Sequence, residues 1–283
     1  AVGMGMALAA YKAREEREAA LLAHLERAAH TLSHARPTTM AKMMRVTERA
    51  MNAARAALAA GRTGLELVEA LRENAVNQVN ENYIRYTAIG KLLADKIPQG
   101  GTIMTQCFAE TVVGTMLREC RSRGNEIKVI CPETRPYFQG ARLTASVACD
   151  MGFDVTVISD NMPGYTLREK HVDLFTSAAD VITMDGHIVN KVGTFQIALA
   201  ASYWGIPYYV TGSPNPSHPD RSSVVIEERD PLLVMDAMGT RTTMEGVKGY
   251  YPAFDVTPPK LCDGVVTEKG IFSPFDLGRY FQD

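Results

Sequence analysis

The sequence predicts an α/β protein in two parts, a helical N-terminal domain over residues 1–97 and a domain built on a mostly parallel sheet over residues 98–283. Two textures predict it. The front is rich in Ala, Leu, Glu and Arg, with apolar residues recurring at helical spacing. Behind Gly101, short apolar runs alternate with helical stretches of about ten to fifteen residues, the pattern of βαβ units with helices on both faces of one sheet. The charge balance bounds the class further. With 30 Lys and Arg against 32 Asp and Glu, the net charge of −2 gives neither a basic nucleic-acid footprint nor an acidic, disordered tail.

In the front, a first helix is expected from Met4 to His34, where Leu21, Leu22, Leu25 and Ala28 face away from Arg14, Glu15, Arg17 and Glu18. His34-Ala35-Arg36-Pro37 breaks it, because proline lacks a donor and biases the preceding residues away from helix. Thr38 or Thr39 then caps a second helix, Met40 to Ala60, which stops at Gly61. A third runs from Thr63 to Ala94, open to interruption in the Asn-rich stretch Asn74 to Tyr86, and Pro98-Gln99-Gly100-Gly101 closes the region. The Met and Ala stripes read as core. Arg36 stands apart, since beside a helix start its guanidinium and the free backbone N–H groups suit a shared phosphate.

In the back half, strands are expected at Thr102–Thr105, Ile127–Cys131, Val155–Ser159, Val181–Met184 and Pro207–Thr211. Helices are expected over about 110–121, 139–151 and 195–203. No GxGxxG follows the first strand and no GxxxxGK[ST] occurs, so both the dinucleotide fingerprint and the P-loop are absent. Reactive groups fall at strand ends: Cys107 after the first, Glu133 and Arg135 after the second, Asp180 and Asp185 on either side of the fourth. In open α/β sheets the ligand crevice lies outside these ends. Cys107 reads either as a buried small hydrophobe or, facing a helix N-terminus, as a thiol of lowered pKa. The odd count of five cysteines without CxxC spacing disfavours a disulfide framework and a structural zinc and suggests a reducing, cytoplasmic setting. The six histidines form no metal set, and no apolar run is long enough to span a membrane. The first residue is not methionine, and an upstream segment is expected.

Several motifs occur together in order: Glu133-Thr134-Arg135-Pro136, Gln139-Gly140-Ala141-Arg142-Leu143-Thr144-Ala145, Asp180 with Asn190-Lys191-Val192-Gly193-Thr194, and Tyr251-Pro252-Ala253-Phe254-Asp255-Val256-Thr257-Pro258. Over nearly its whole length the chain resembles the methylthioribose-1-phosphate isomerase family. Relatives of that family include ribose-1,5-bisphosphate isomerases and regulatory subunits of the eukaryotic initiation-factor exchange complex. The resemblance implies a helical domain followed by a Rossmann-like domain, an aldose–ketose isomerase working on a sugar phosphate without metal or other cofactor, and a homodimer. It assigns catalysis to Cys107 and Asp180, and substrate binding to Arg36, Gln139, Asn190 and Lys191. Two segments depart from the family pattern. Gln106-Cys107-Phe108-Ala109-Glu110 stands for His-Cys-Asn-x-Gly, and Asp185-Gly186-His187 for Asn-Gly-Asp. An Arg-Gly-Ala-Pro phosphate motif is expected in the upstream segment.

The implied chemistry needs these residue types. A sugar carrying phosphate on its anomeric oxygen is locked as a furanose, so an acid must protonate the ring oxygen before hydrogen moves between C2 and C1. A carboxyl does this near neutral pH only if an apolar site or a second carboxylate raises its pKa, and Asp185 would serve if it shares a cavity with Asp180. Cys107 would move a proton or support a hydride shift, and both routes stay open. The C5 group, methylthio or simple deoxy, also stays open, with Asp185 and His187 as candidates for setting preference. Phe254 to Pro259 and Phe272 to Phe281 are candidate dimer contacts. A ribose-1,5-bisphosphate isomerase and a non-catalytic regulator are the alternatives.

Overall fold

The computed structural model describes residues 1–108 and 110–282. The chain divides into two compact units, Ala1–Ile84 and Arg85–Asp283. The first contains α1 (Val2–Lys12), α2 (Glu18–Ser33), a short 3-10 turn at Pro37–Thr39, α3 (Met40–Ala59) and the first part of α4 (Gly64–Ala94). The expected helix from Met4 to His34 is therefore two helices. Four consecutive charged residues, Arg14 to Arg17, supply no apolar side chain to carry the stripe across the break. The reversal lets Met6 and Ala10 share one core with Leu21, Leu25, Met51, Ala54, Leu67 and Leu71.

Gly61, with φ +76°, ends α3 as expected. The N–H groups of Gly61 and Arg62 return to the carbonyls of Leu58 and Ala57, both at 2.9 Å, the paired bonds of a Schellman motif that satisfy carbonyls otherwise orphaned. α4 runs through the Asn-rich stretch without a break.

The second unit is built on a seven-stranded sheet, β1 (Thr102–Met104), β2 (Lys128–Pro132), β3 (Asp154–Ile158), β4 (Leu174–Ala178), β7 (Tyr208–Thr211), β11 (Gly264–Thr267) and β12 (Gly270–Phe272). Its order is β12-β11-β7-β4-β1-β2-β3, and only β12 is antiparallel to its neighbour. Alternation along each strand feeds two cores. Ile103, Val129 and Leu174 join the end of α4, α5 (Glu110–Ser122) and α6 (Ala145–Asp150) on one face. Met104, Ile130 and Phe175 join α7 (Pro163–Glu169) and α8 (Thr194–Trp204) on the other. This is the doubly wound, Rossmann-like arrangement.

One strand assignment changes. The parallel strand beside β1 is β4, not Val181–Met184. Its polar residues disguised it, but Thr176 and Ser177 are buried and donate or share hydrogen bonds with Tyr209 O and the Tyr208 hydroxyl. Val181–Ile182 is instead β5 of a small antiparallel sheet with β6 (Ile188–Lys191) and β10 (Phe254–Thr257), in the order β10-β6-β5. Phe254, Val181 and Val189 form its core, so Phe254 is not a surface contact. A further two-stranded ribbon is β8 (Asp236–Ala237) with β9 (Thr240–Arg241).

The helix expected to open at Gln139 begins as a π-helix, Gly140–Thr144, before becoming α6. Such wide turns concentrate at functional sites. The cause here is close approach: a Cβ on Gly140 would lie 1.8 Å from Pro132 O and 2.9 Å from Thr134 Oγ1. Gly140→Ala is therefore expected to cost about 3 kcal/mol by overpacking against backbone. Gly114→Ala in α5, where no described residue lies within 4 Å, is expected to gain up to about 1 kcal/mol of helix propensity. Urea denaturation of the two variants beside the parent checks both.

Candidate active site

Where β1 and β4 lie side by side, the chain leaves the sheet in opposite directions, and the crevice of a doubly wound sheet opens at that switch point. Cys107 follows β1 and Asp180 follows β4, so both stand at the carboxyl ends of the two strands that flank it. Asp180 is anchored by its own N–H, which donates to Val189 O at 2.9 Å. Lys191, at the end of β6, is 4% exposed, a depth at which an ammonium requires partners. Its Nζ donates to Ala253 O at 2.9 Å and lies 4.9 Å from the Phe254 ring centroid and 5.9 Å from that of Tyr251.

The charges of Lys191, Asp180 and Arg229 all act on the half-buried Cys107 thiol. Burial pushes that thiol up and Asp180 adds to the push, while a backbone hydrogen bond from Phe108 and the two cations oppose it. Of the two readings of Cys107, the thiol of lowered pKa is thus set aside, and the group is a neutral S–H at neutral pH. Its backbone is unusual as well. Cys107 and Thr134 have φ +61° and +62°, and Phe138 +58°, conformations that cost non-glycine residues roughly 1–2 kcal/mol each. Three such residues in adjoining loops mark stored strain, which gathers at functional sites. Of the neighbouring sequence departures, Ala109 lies outside the described residues.

Gln139 precedes Gly140, and its Oε1 is buried without a donor among the described residues. Gln106 Oε1 and Asp255 Oδ1 are in the same state. Asn190 directs its amide Nδ2 to Thr194 Oγ1 at 3.0 Å, bracing the turn from β6 into α8. Arg36 lies in the first unit, as the extended residue before the Pro37–Thr39 turn, and has partners of its own. Asp185 does not act as a companion to Asp180. It accepts a hydrogen bond from the Thr183 hydroxyl, lies 3.0 Å from His187 Nδ1 and accepts from Arg221 N at 3.3 Å. Burial raises its pKa, but these bonds outweigh burial and hold it below the usual range. The Asp185-Gly186-His187 turn is thus a local hydrogen-bonded unit.

Two groups in this region carried no sequence signal strong enough to single them out. Arg229 reads in Glu227-Glu228-Arg229-Asp230 as a solvated charge run, yet its side chain is only 19% exposed. Its Nε donates to Glu227 Oε1 at 2.6 Å, and its guanidinium lies 5.6 and 5.7 Å from the Tyr137 and Phe254 rings. Burial works against its charge, but Glu227 and the Tyr251 hydroxyl more than compensate. Asp255, opposite Asn190 across β10 and β6, puts a carboxylate between Phe254 and Val256, and that charge within an apolar pair was the available clue. Its Oδ2 accepts from Gly193 N at 2.7 Å and Phe195 N at 3.1 Å, so the first turn of α8 already holds an anion from its own chain. Among the described residues no cluster of His, Cys, Asp and Glu suits a metal ion, and no helix is long and apolar enough to cross a membrane.

Comparison with known proteins gives this geometry a context. A model described as the initiation factor 2 subunit family matches residues 1–274. The methylthioribose-1-phosphate isomerase of Fervidobacterium nodosum is 38% identical over 218 residues, which is 74% of this chain and 62% of that protein. The chain therefore spans under two thirds of that relative's length. Among solved structures, 5-methylthioribose 1-phosphate isomerase from Pyrococcus horikoshii superposes with a TM-score of 0.83 at 28% identity, covering 97% of this chain and 79% of the other. Translation initiation factor eIF-2B, subunit delta, from A. fulgidus gives a TM-score of 0.80 at 31% identity, covering 96% and 81%.

The site generates a stability prediction. Burial lifts the Asp255 carboxyl to about 6, from an ordinary 3.8, against the pull of its two backbone donors. A carboxyl raised on folding stabilises the fold below its unfolded pKa and loses that contribution as pH rises through the folded value. The stability of the parent relative to Asp255→Asn is therefore expected to fall by about 3 kcal/mol between pH 3.5 and 7. Parallel urea melts across that range measure the difference.

Proposed function

The chain belongs to the initiation factor 2 subunit family, and from that premise we propose that it is an aldose–ketose isomerase of a C5-modified ribose 1-phosphate. The observation that carries the reading is the convergence of Asp180 and Lys191 on the Cys107 thiol at the sheet's switch point. Three buried acceptors, on Gln106, Gln139 and Asp255, support it, because sugar hydroxyls are the donors such atoms need.

In this proposal Asp180, as the carboxylic acid, gives its proton to the ring oxygen as the C1–O bond breaks. The carboxylate then takes the proton of the C2 hydroxyl while the C2–O double bond forms and hydrogen moves from C2 to C1. The product is the ketose 1-phosphate, and Asp180 ends protonated as it began. The neutral Cys107 thiol favours the hydride route, which requires no thiolate at the start. Lys191, a buried cation with an aromatic surround, is the proposed phosphate partner, with Gln139 and Asn190 on the sugar. Arg36 enters on the resemblance alone. The preferred C5 groups are methylthio and deoxy, since Phe108 and Tyr137 supply apolar surface there. Self-association as a homodimer is part of the same reading.

A second reading, a non-catalytic sugar-phosphate- or nucleotide-binding regulator, is favoured by the likeness to the eIF-2B delta structure. Incubation with methylthioribose 1-phosphate, 5-deoxyribose 1-phosphate and ribose 1,5-bisphosphate, with detection of the ketose, separates the readings. Turnover of either of the first two is the expected result, and silence on all three supports the regulator. Asp180→Asn is expected to lower kcat by at least about 10³-fold without altering the circular dichroism spectrum, and near-parental turnover would remove Asp180 from the mechanism.

A further inference from the structure

Cys107 is gripped through its backbone from both sides. Its N–H lies 3.3 Å from Thr134 Oγ1, and its carbonyl accepts a 2.6 Å hydrogen bond from Thr144 Oγ1. A helical threonine ordinarily directs its hydroxyl to a carbonyl one turn back in its own helix. Thr144 reaches instead across to a residue 37 positions earlier, in a different loop. Thr134 is fixed in turn. Its hydroxyl donates to Pro132 O at 3.2 Å, and the N–H groups of Thr134 and Arg135 donate to the two carboxylate oxygens of Asp160 at 2.8 and 2.7 Å. Both threonines are 1% exposed, so these hydroxyls have no solvent to fall back on.

The Thr134 φ of +62° is one that a β-branched residue rarely adopts, and the Cys107 turn it contacts has the same handedness. Such turns persist only where the surroundings over-determine them. Gly140 completes the frame, because its lack of a side chain brings the π-helix bearing Thr144 against Pro132 and Thr134. The π-helix register and the left-handed turn are therefore two halves of one arrangement, joined through Thr144.

We propose that Thr144, together with Thr134, is a positioning residue for Cys107, its hydroxyl fixing the left-handed turn and with it the direction of the thiol. The proposal rests on the reading of Cys107 as a group at the reacting centre. Reacting groups displaced by about 1 Å lose on the order of 10²-fold in rate, so a missing hydroxyl should be felt in turnover more than in binding.

The test uses the whole protein and two variants, Thr144→Val, which keeps the shape without the hydroxyl, and Thr144→Ser, which keeps the hydroxyl. Peptide-resolved alkylation by iodoacetamide reads the Cys107 rate, with the exposed Cys149 as internal reference. Steady-state kinetics on the sugar phosphate that the parent turns over read kcat and KM. In Thr144→Val, the Cys107 alkylation rate is expected to change at least about threefold at constant Cys149 rate, and kcat to fall about 10- to 100-fold with KM within about threefold. Thr144→Ser should return both to near parental values. The proposal is overturned if Val and Ser variants behave alike, or if the Cys107 and Cys149 rates move together. Should the parent turn over none of the three sugar phosphates, the functional reading fails, while the alkylation comparison still decides whether Thr144 positions Cys107.

Discussion

Parallel pairing of β1 with β2 on one side and β4 on the other governs where every reactive group stands. β1 is covered on both faces, with Ile103 turned to one core and Met104 to the other, and both fully buried. A strand so enclosed has only its carboxyl end open. The chain leaves β1 toward α5 and leaves β4 toward the small antiparallel sheet and α8, on opposite faces. The gap between those exits receives Cys107 from one side and Asp180 from the other. Lys191 reaches the same place because β6 continues directly from the β4 exit through β5.

Charge within this region is balanced against burial residue by residue. Lys191 lies beside a carbonyl and two aromatic faces, Arg229 beside Glu227, and Asp255 on two backbone donors. Burying a charge costs several kcal/mol unless it is paired and hydrogen-bonded, and each of these groups has such support. Because Asp255 already occupies the first turn of α8, that helix end contributes little to binding an external anion, and side-chain cations have to supply the attraction. The neutral Cys107 thiol belongs to the same balance, since its burial outweighs the pull of the Lys191 and Arg229 cations.

The fold class was legible because alternation of strands and helices is a property of pattern, and the helix stops at Pro37 and Gly61 follow from local backbone chemistry. Two errors share a cause. β4 was hidden because Thr176 and Ser177 look like loop residues, and only the tertiary structure shows their hydroxyls bonded inside the sheet. The α1–α2 turn was hidden because it contains no Gly or Pro, and the reversal is settled by core packing. Candidate residues at strand ends could be picked out from the sequence, yet their electrostatics could not. The sequence leaves Cys107 open between a buried, inert thiol and an acidic one, and enclosure by distant segments decides for a raised pKa. Arg229 escaped notice because a charged run conceals which member turns inward.

The central place of β1 also sets the order in which the sheet can assemble. Its partner β2 follows within the next thirty residues, but the bond from Thr102 N–H to the Asp173 carboxylate spans 71 residues, and β4 is no nearer. During vectorial synthesis, β1 would leave the ribosome with one edge unpaired for several seconds at typical elongation rates of about 5–20 residues per second. An apolar strand waiting that long is exposed to pairing with the wrong chain. The helical first unit, whose core is made from segments within about seventy residues, is complete before that interval begins. Until β4 is made, that edge of β1 is the part of the nascent sheet most open to mispairing, while the finished fold shows none of it.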